Sequence, residues 1–278
     1  MTLAGPSNDG LPTRLLARRV AALGARVEAE RWRALEGPLR ALLGHGSEEA
    51  RCAALERQWR RGGLAFDLLA VLHSGLDRHP EQLDLIAEQL LPALWASGPA
   101  PRIWSAGCAR GEEAWSLTAL CAIAARGAGR GSPEVVATEL SARALEAARA
   151  GRYELPIDGP GLREGLRREL FGSQPDGVVT VRGGLRASLR FVLHDLAALG
   201  GEPPEGGAFD LILCRNVLYH LSDEGRRRAE SMLIGALAPG GVLLLGPTER
   251  LAERPGSLQL ELWPELFVYR HRALGEPR

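Results

Sequence analysis

The sequence predicts an α/β fold in which a mostly parallel sheet is covered by helices on both faces. A small helical domain (residues 1–95) precedes the sheet domain (96–278), and a β-hairpin is inserted within the latter. Three observations carry this expectation. From residue 102 onward, short apolar runs alternate with helical patterns, as a parallel sheet buried on both faces requires. Before residue 95 the apolar spacing is helical throughout. At 168–188 the alternation breaks, and Gly172, Pro175 and Gly177 stand beside the β-branched run Val178-Val179-Thr180-Val181.

The helical part divides at its punctuation. Helices are expected over 11–24, 27–44, 47–60, 63–73 and 80–95. Gly24 is a stop signal, Ser47-Glu48-Glu49 a cap with first-turn acids, and Pro80 an N1 residue. Gly98-Pro99-Ala100-Pro101 then marks the domain boundary. Strands are expected at 102–105, 134–138, 190–193, 209–214 and 242–245, with helices at 111–126, 141–150 and 222–237. Two late strands, 260–263 and 266–270, close the sheet antiparallel.

Composition narrows the function classes. The 278 residues carry 34 basic and 34 acidic side chains, so no global charge favours nucleic acid or a membrane surface. Every basic residue is arginine. Cys52, Cys108, Cys121 and Cys214 have no C-x-x-C spacing, which points to a reduced, cytoplasmic setting. No apolar run approaches the ~20 residues of a membrane span, so no membrane insertion is expected. A monomer is expected. The six histidines show no metal-ligand spacing.

The most informative stretch runs from Arg102 to Glu113, a buried strand entering a turn flanked by Gly107 and Gly111 and then a helix opened by Glu112 and Glu113. Phosphate-binding turns leave the helix N-terminus free for an anion. Two carboxylates there would repel pyrophosphate and attract a cation. A cationic, phosphate-free cofactor fits, and S-adenosylmethionine (SAM) carries a sulfonium and an ammonium. Glu139, ending the second strand, is placed to accept ribose hydroxyls. Asp195, after the strand at 190–193, is placed for the adenine amino group. Arg215 and Asn216 follow the strand at 209–214, beyond whose carboxyl end ligands bind in open α/β sheets.

These segments occur in a telling order. Trp104-Ser105-Ala106-Gly107-Cys108 with Gly111-Glu112-Glu113, then Ala137 through Tyr153, then Phe209-Asp210 with Cys214-Arg215-Asn216-Val217, then Leu237 through Glu249, closely resemble the CheR family of chemotaxis-receptor glutamate O-methyltransferases. The resemblance implies a Rossmann-like SAM methyltransferase sheet and SAM as cofactor, with S-adenosylhomocysteine as product. It implies a receptor or other signalling protein as methyl acceptor. The cofactor side falls on Ser74, Arg78, Gly107, Gly111, Glu112, Glu139, Asp195, Leu196, Arg215, Asn216 and Val217, and the catalytic side on Arg78, Tyr219 and His220. The basic helix with Arg14, Arg18 and Arg19 is then a contact for an acidic receptor helix, and 178–182 a strand for docking a receptor tail.

Two departures from the family pattern stand near the chemistry. The family segment Thr-x-Phe-Phe-Arg-Asp-Pro reads Ser74-Gly75-Leu76-Asp77-Arg78-His79-Pro80 here, without the aromatics. The tyrosine position after Cys-Arg-Asn-Val holds His220, with Tyr219 one residue early. An acceptor other than a carboxylate, or a non-catalytic SAM-binding signalling module, are the alternative readings these departures leave open.

Overall fold

The computed structural model describes residues 47–60, 75–155, 162–175, 177–263 and 266–272, together with Leu16, Val20 and Leu43. The arginines at 14, 18 and 19, Ser74, and the helices expected over 11–24, 27–44 and 63–73 lie outside these residues, apart from those three single positions, each helical.

The described chain runs α1 (Glu48–Arg60), α2 (Pro80–Leu85), α3 (Leu91–Ser97), β1 (Arg102–Ala106), α4 (Glu112–Ala128), β2 (Glu134–Glu139), α5 (Ala142–Ala150), β3 (Arg152–Leu155) and α6 (Glu164–Phe171). It continues through β4 (Gly177–Thr180), β5 (Leu189–Leu193), β6 (Phe209–Cys214), α7 (Asp223–Gly235), β7 (Leu237–Leu245), β8 (Leu258–Trp263) and β9 (Leu266–His271). The helix expected over 80–95 is present, but a π-helical turn at Ile86–Leu90 splits it just before Pro92, which has no N–H to offer the preceding turn.

Seven strands form one sheet in the order β5-β2-β1-β6-β7-β9-β8. The first five are parallel, and β9 and β8 close it antiparallel. Both faces are covered, so neighbouring residues of one strand enter different cores. Ile103, Val135, Leu211 and Val242 pack with α2, α3 and α4. Trp104, Val136, Ile212 and Leu243 pack on the other face with Ala229 and Leu233 of α7. This is why the strands read as continuous apolar runs. The chain leaves β1 outward to β2 and β5, then returns to the other side at β6. The β1/β6 junction is therefore the topological switch point where ligands bind in such sheets.

The insert differs from its expected form. The strand at 177–180 does not fold back within 168–188. It pairs antiparallel with β3, Tyr153 opposite Val179, and residues 168–171 belong to helix α6. Only Tyr153 and Leu155 of β3 are buried, an alternation two apolar residues long and too short to register as a strand in sequence. The helix expected over 222–237 ends at Gly235, and the following strand begins earlier than expected, at Leu237.

A buried hydrogen bond ties β1 to β2: the Trp104 indole Nε1–H donates to Thr138 Oγ1 at 2.9 Å. Thr138→Val keeps the shape and removes the acceptor. It is expected to destabilise the protein by about 1–3 kcal/mol, the cost of stranding a buried donor, read as a lower urea midpoint with unchanged slope.

Candidate active site

Four amides of the turn after β1 are bonded within the protein. Gly107 and Cys108 N–H both donate to Thr138 O at 2.8 Å, and Gly111 N–H donates to Cys108 O at 2.8 Å. Ala109 N–H donates to Glu139 Oε2 at 3.0 Å, while Glu139 Oε1 takes Leu140 N–H at 2.7 Å and Ser141 N–H at 3.0 Å. The glycines face protein. A Cβ on Gly107 would come within 2.6 Å of Val217 Cγ2, and one on Gly111 within 2.7 Å of Ala148 Cβ, each with φ positive. Their freedom lets the turn touch the loop after β6 and lets α4 start against α5.

Of the two acids opening α4, Glu113 turns inward. Ser105 Oγ donates to its Oε1 at 2.7 Å, and Arg215 Nε donates to its Oε2 at 2.6 Å. The Arg215 side chain is 2% exposed and that of Glu113 11%. The guanidinium also donates to Gln82 Oε1 at 3.1 Å and to the Arg78 carbonyl at 2.9 Å. Gln82 Nε2 in turn donates to Leu245 O at 2.8 Å. Arg215, expected beside the cofactor, is thus a buried strut joining β6, α4 and the 78–82 segment.

The sequence marks Glu249 as the end of the fourth motif without assigning it a role; it is buried. Its carboxylate takes the N–H groups of Asn216 at 2.6 Å, Leu218 at 2.8 Å, Tyr219 at 3.4 Å and Gly246 at 3.0 Å. Asn216 is held there at φ 60°. The signal for Glu249 in the sequence is an acid closing the Gly246-Pro247-Thr248-Glu249 motif after a wholly apolar strand. On the turn it organises, the rings of Tyr219 and His220 lie 4.1 Å apart, with Tyr219 47% exposed.

A cavity of about 520 Å³ opens beside this framework, lined by Leu76, Arg78, Arg110, Glu112, Tyr153 and Leu162, among others. Tyr153 closes one side, its hydroxyl donating to Arg110 O at 2.8 Å, and burial followed by the Glu112 charge pushes that phenol well up. Arg78 and Glu112 thus meet in one cavity. Tyr219 and His220 are not among its lining residues. Asp195, half-buried beyond β5, accepts Ala197 N–H at 2.9 Å, and Leu196 packs on the core beneath. Among the described residues no cluster suits a metal ion.

Residues 73–263 match the model of the CheR methyltransferase SAM-binding domain. The chain belongs to the CheR family. The chemotaxis protein methyltransferase 1 of Pseudomonas aeruginosa is 31% identical over 225 residues, 77% of this chain and 80% of that one. The chemotaxis protein methyltransferase of Vibrio parahaemolyticus is 35% identical over 173 residues, 60% of each chain. That of Listeria innocua is 32% identical over 187 residues, 67% of this chain and 68% of the other. The match thus spans 60% to 80% of these relatives' own length. This CheR-family protein is a SAM-dependent methyltransferase.

The residues at the rim suit that cofactor. The amides of Gly107, Cys108, Ala109 and Gly111 are engaged within the protein. Asp77, Glu112 and Glu154 place carboxylates on the cavity wall, chemistry that suits a cationic ligand.

Arg215→Met should cost about 3–5 kcal/mol in chemical unfolding, because Glu113 is left buried and uncompensated. Adding Glu113→Gln should recover part of that loss. A second expectation concerns His79. Burial, then the Arg215 and Arg78 guanidinium groups, hold its imidazole below the ordinary range, against opposing effects from Glu81 and Asn216. The unfolded chain therefore takes the proton first, and stability falls as pH drops through about 6.5. His79→Asn, tolerant of the local φ of 57°, should lose less stability than the wild type between pH 7 and pH 5 in urea titrations.

Proposed function

We propose that this protein transfers the methyl group of SAM to glutamate side chains of a chemoreceptor-like signalling protein. The observation that carries the reading is the cavity in which Arg78 and Glu112 share a wall. An acid there suits the cationic end of SAM, and a guanidinium suits an anionic acceptor. The names of the relatives, chemotaxis protein methyltransferases, point to the same acceptor class.

When bound, SAM supplies an activated methyl group on a sulfonium. A glutamate acceptor is already ionised near neutral pH, with an unperturbed pKa of about 4.3, so no residue need act as a base. What remains for the chain is alignment. Arg78 orients the acceptor carboxylate without quenching it, and well-aligned reactants can gain roughly 7–11 kcal/mol. Glu139 accepts from the ribose through the lone-pair capacity its three amide bonds leave. Asp195 and Leu196 border the adenine, and Gly107, Asn216 and Val217 complete the cofactor crevice. Tyr219 and His220 stand on the acceptor side as hydrogen-bonding groups. Because His220 replaces a tyrosine, a neutral acceptor is the second reading, since an imidazole can take a proton.

The test is transfer of tritiated methyl from SAM to cytoplasmic fragments of chemoreceptors encoded by the same genome. Label released by alkali as methanol is expected, and alkali-stable label would replace the carboxylate acceptor with a nitrogen or hydroxyl. In the same assay Arg78→Ala should lower turnover at least tenfold with little change in SAM affinity. Glu139→Ala should weaken SAM binding about tenfold by calorimetry, and equal affinity would contradict the ribose role.

A further inference from the structure

Asp77 lies next to Arg78 in sequence, and both line the same cavity. A carboxylate on the same cavity wall is a natural rival for whatever anion Arg78 is to orient, since opposite charges attract strongly in a partly dry site. Yet its contacts lie elsewhere. Asp77 Oδ2 accepts from Arg163 Nε at 2.9 Å and from the Arg163 backbone N–H at 3.3 Å, and its Oδ1 lies 2.9 Å from the second guanidinium nitrogen. The Asp77 side chain is 15% exposed. The same guanidinium reaches Asp84 on α2. Arg163 immediately precedes α6, so the grip also fixes Leu162, which lines the cavity beside Arg78. A two-pronged arginine grip of this kind sets direction as well as charge.

We propose that Arg163 is a positioning residue for methyl transfer: it draws the Asp77 carboxylate away from Arg78, so that the acceptor carboxylate rather than Asp77 engages the Arg78 guanidinium. Asp77, standing where the resembled segment has an aromatic, is thereby a built-in competitor that this chain restrains with a second arginine. The inference rests on the carboxylate-acceptor reading above.

It is tested with three variants in the intact protein. Arg163→Gln removes the restraint and leaves the competitor. The KM for receptor fragments should rise about tenfold, with SAM affinity by calorimetry unchanged within twofold. Arg163→Lys keeps a charge beside Asp77 and should stay within about threefold of wild type. The decisive variant is Asp77→Asn/Arg163→Gln, which removes restraint and competitor together and should restore KM to within about threefold of wild type. A merely structural tie predicts the reverse, with the double variant as impaired as the single one or worse, and that result overturns the proposal. So does an unchanged KM in Arg163→Gln. If the wild type methylates no receptor fragment, the acceptor reading fails, and the restraint is then judged by NMR of the Arg78 Nε–H. Arg163→Gln should slow its exchange with solvent and the double variant should reverse this, whereas an Arg78 signal indifferent to both substitutions overturns the proposal.

Discussion

A full positive charge in the interior has to be met on every side, and Arg215 is such a charge. Its neutralisation by Glu113, Gln82 and the Arg78 carbonyl requires β1, β6, α4 and the segment leading into α2 to arrive at one place. Buried pairs of this kind give little net stability against apolar replacements, but removing one partner is severe. Their value here is in placement. The backbone of Arg78 is fixed by a guanidinium that itself never reaches the cavity, and the carboxyl ends of β1 and β6 are locked at the switch point where the sheet topology opens a crevice.

The rim is held by acids more than by glycines. Glu139 satisfies three amides between the β1 turn and the start of α5, Glu249 four between the ends of β6 and β7, and Glu113 the buried arginine and Ser105. An amide left unpaired at depth is costly, so each carboxylate fastens a loop that would otherwise need water. This also explains the cofactor preference in physical terms. The amides of Gly107, Cys108, Ala109 and Gly111 are committed to internal carboxylates and carbonyls, and Asp77, Glu112 and Glu154 on the cavity wall bring negative charge toward a positive ligand.

The sheet was legible because central parallel strands must be apolar on both faces, and 102–105, 134–138 and 209–214 show that without ambiguity. Of the closing strands, β9 shows in the apolar run Leu266–Tyr269, and β8 in an alternation of leucines with Gln259 and Glu261 of which only Leu258 is buried. Strand β3 was not, because two buried residues do not make a period, and its partner lies beyond a helix. At the site, Arg78 and Glu112 line one cavity. Sequence position alone could not tell Glu112 from Glu113 or reveal that Arg215 faces inward, since consecutive residues on a helix point in different directions. Glu249 was visible as a motif end but not in its role, because that role is read from the amides around it, and amides leave no trace in residue type.

That last feature has a consequence for the loop carrying Tyr219 and His220. Glu249 grips the main chain, and every amino acid other than proline offers the same N–H. The side chains of Tyr219 and His220 are therefore not what sets the peptide path, whereas Leu218 beside them is buried in the core. The scaffold works as a fixed chassis, with Tyr219 and His220 as fittings on a turn whose shape is set by main-chain bonds.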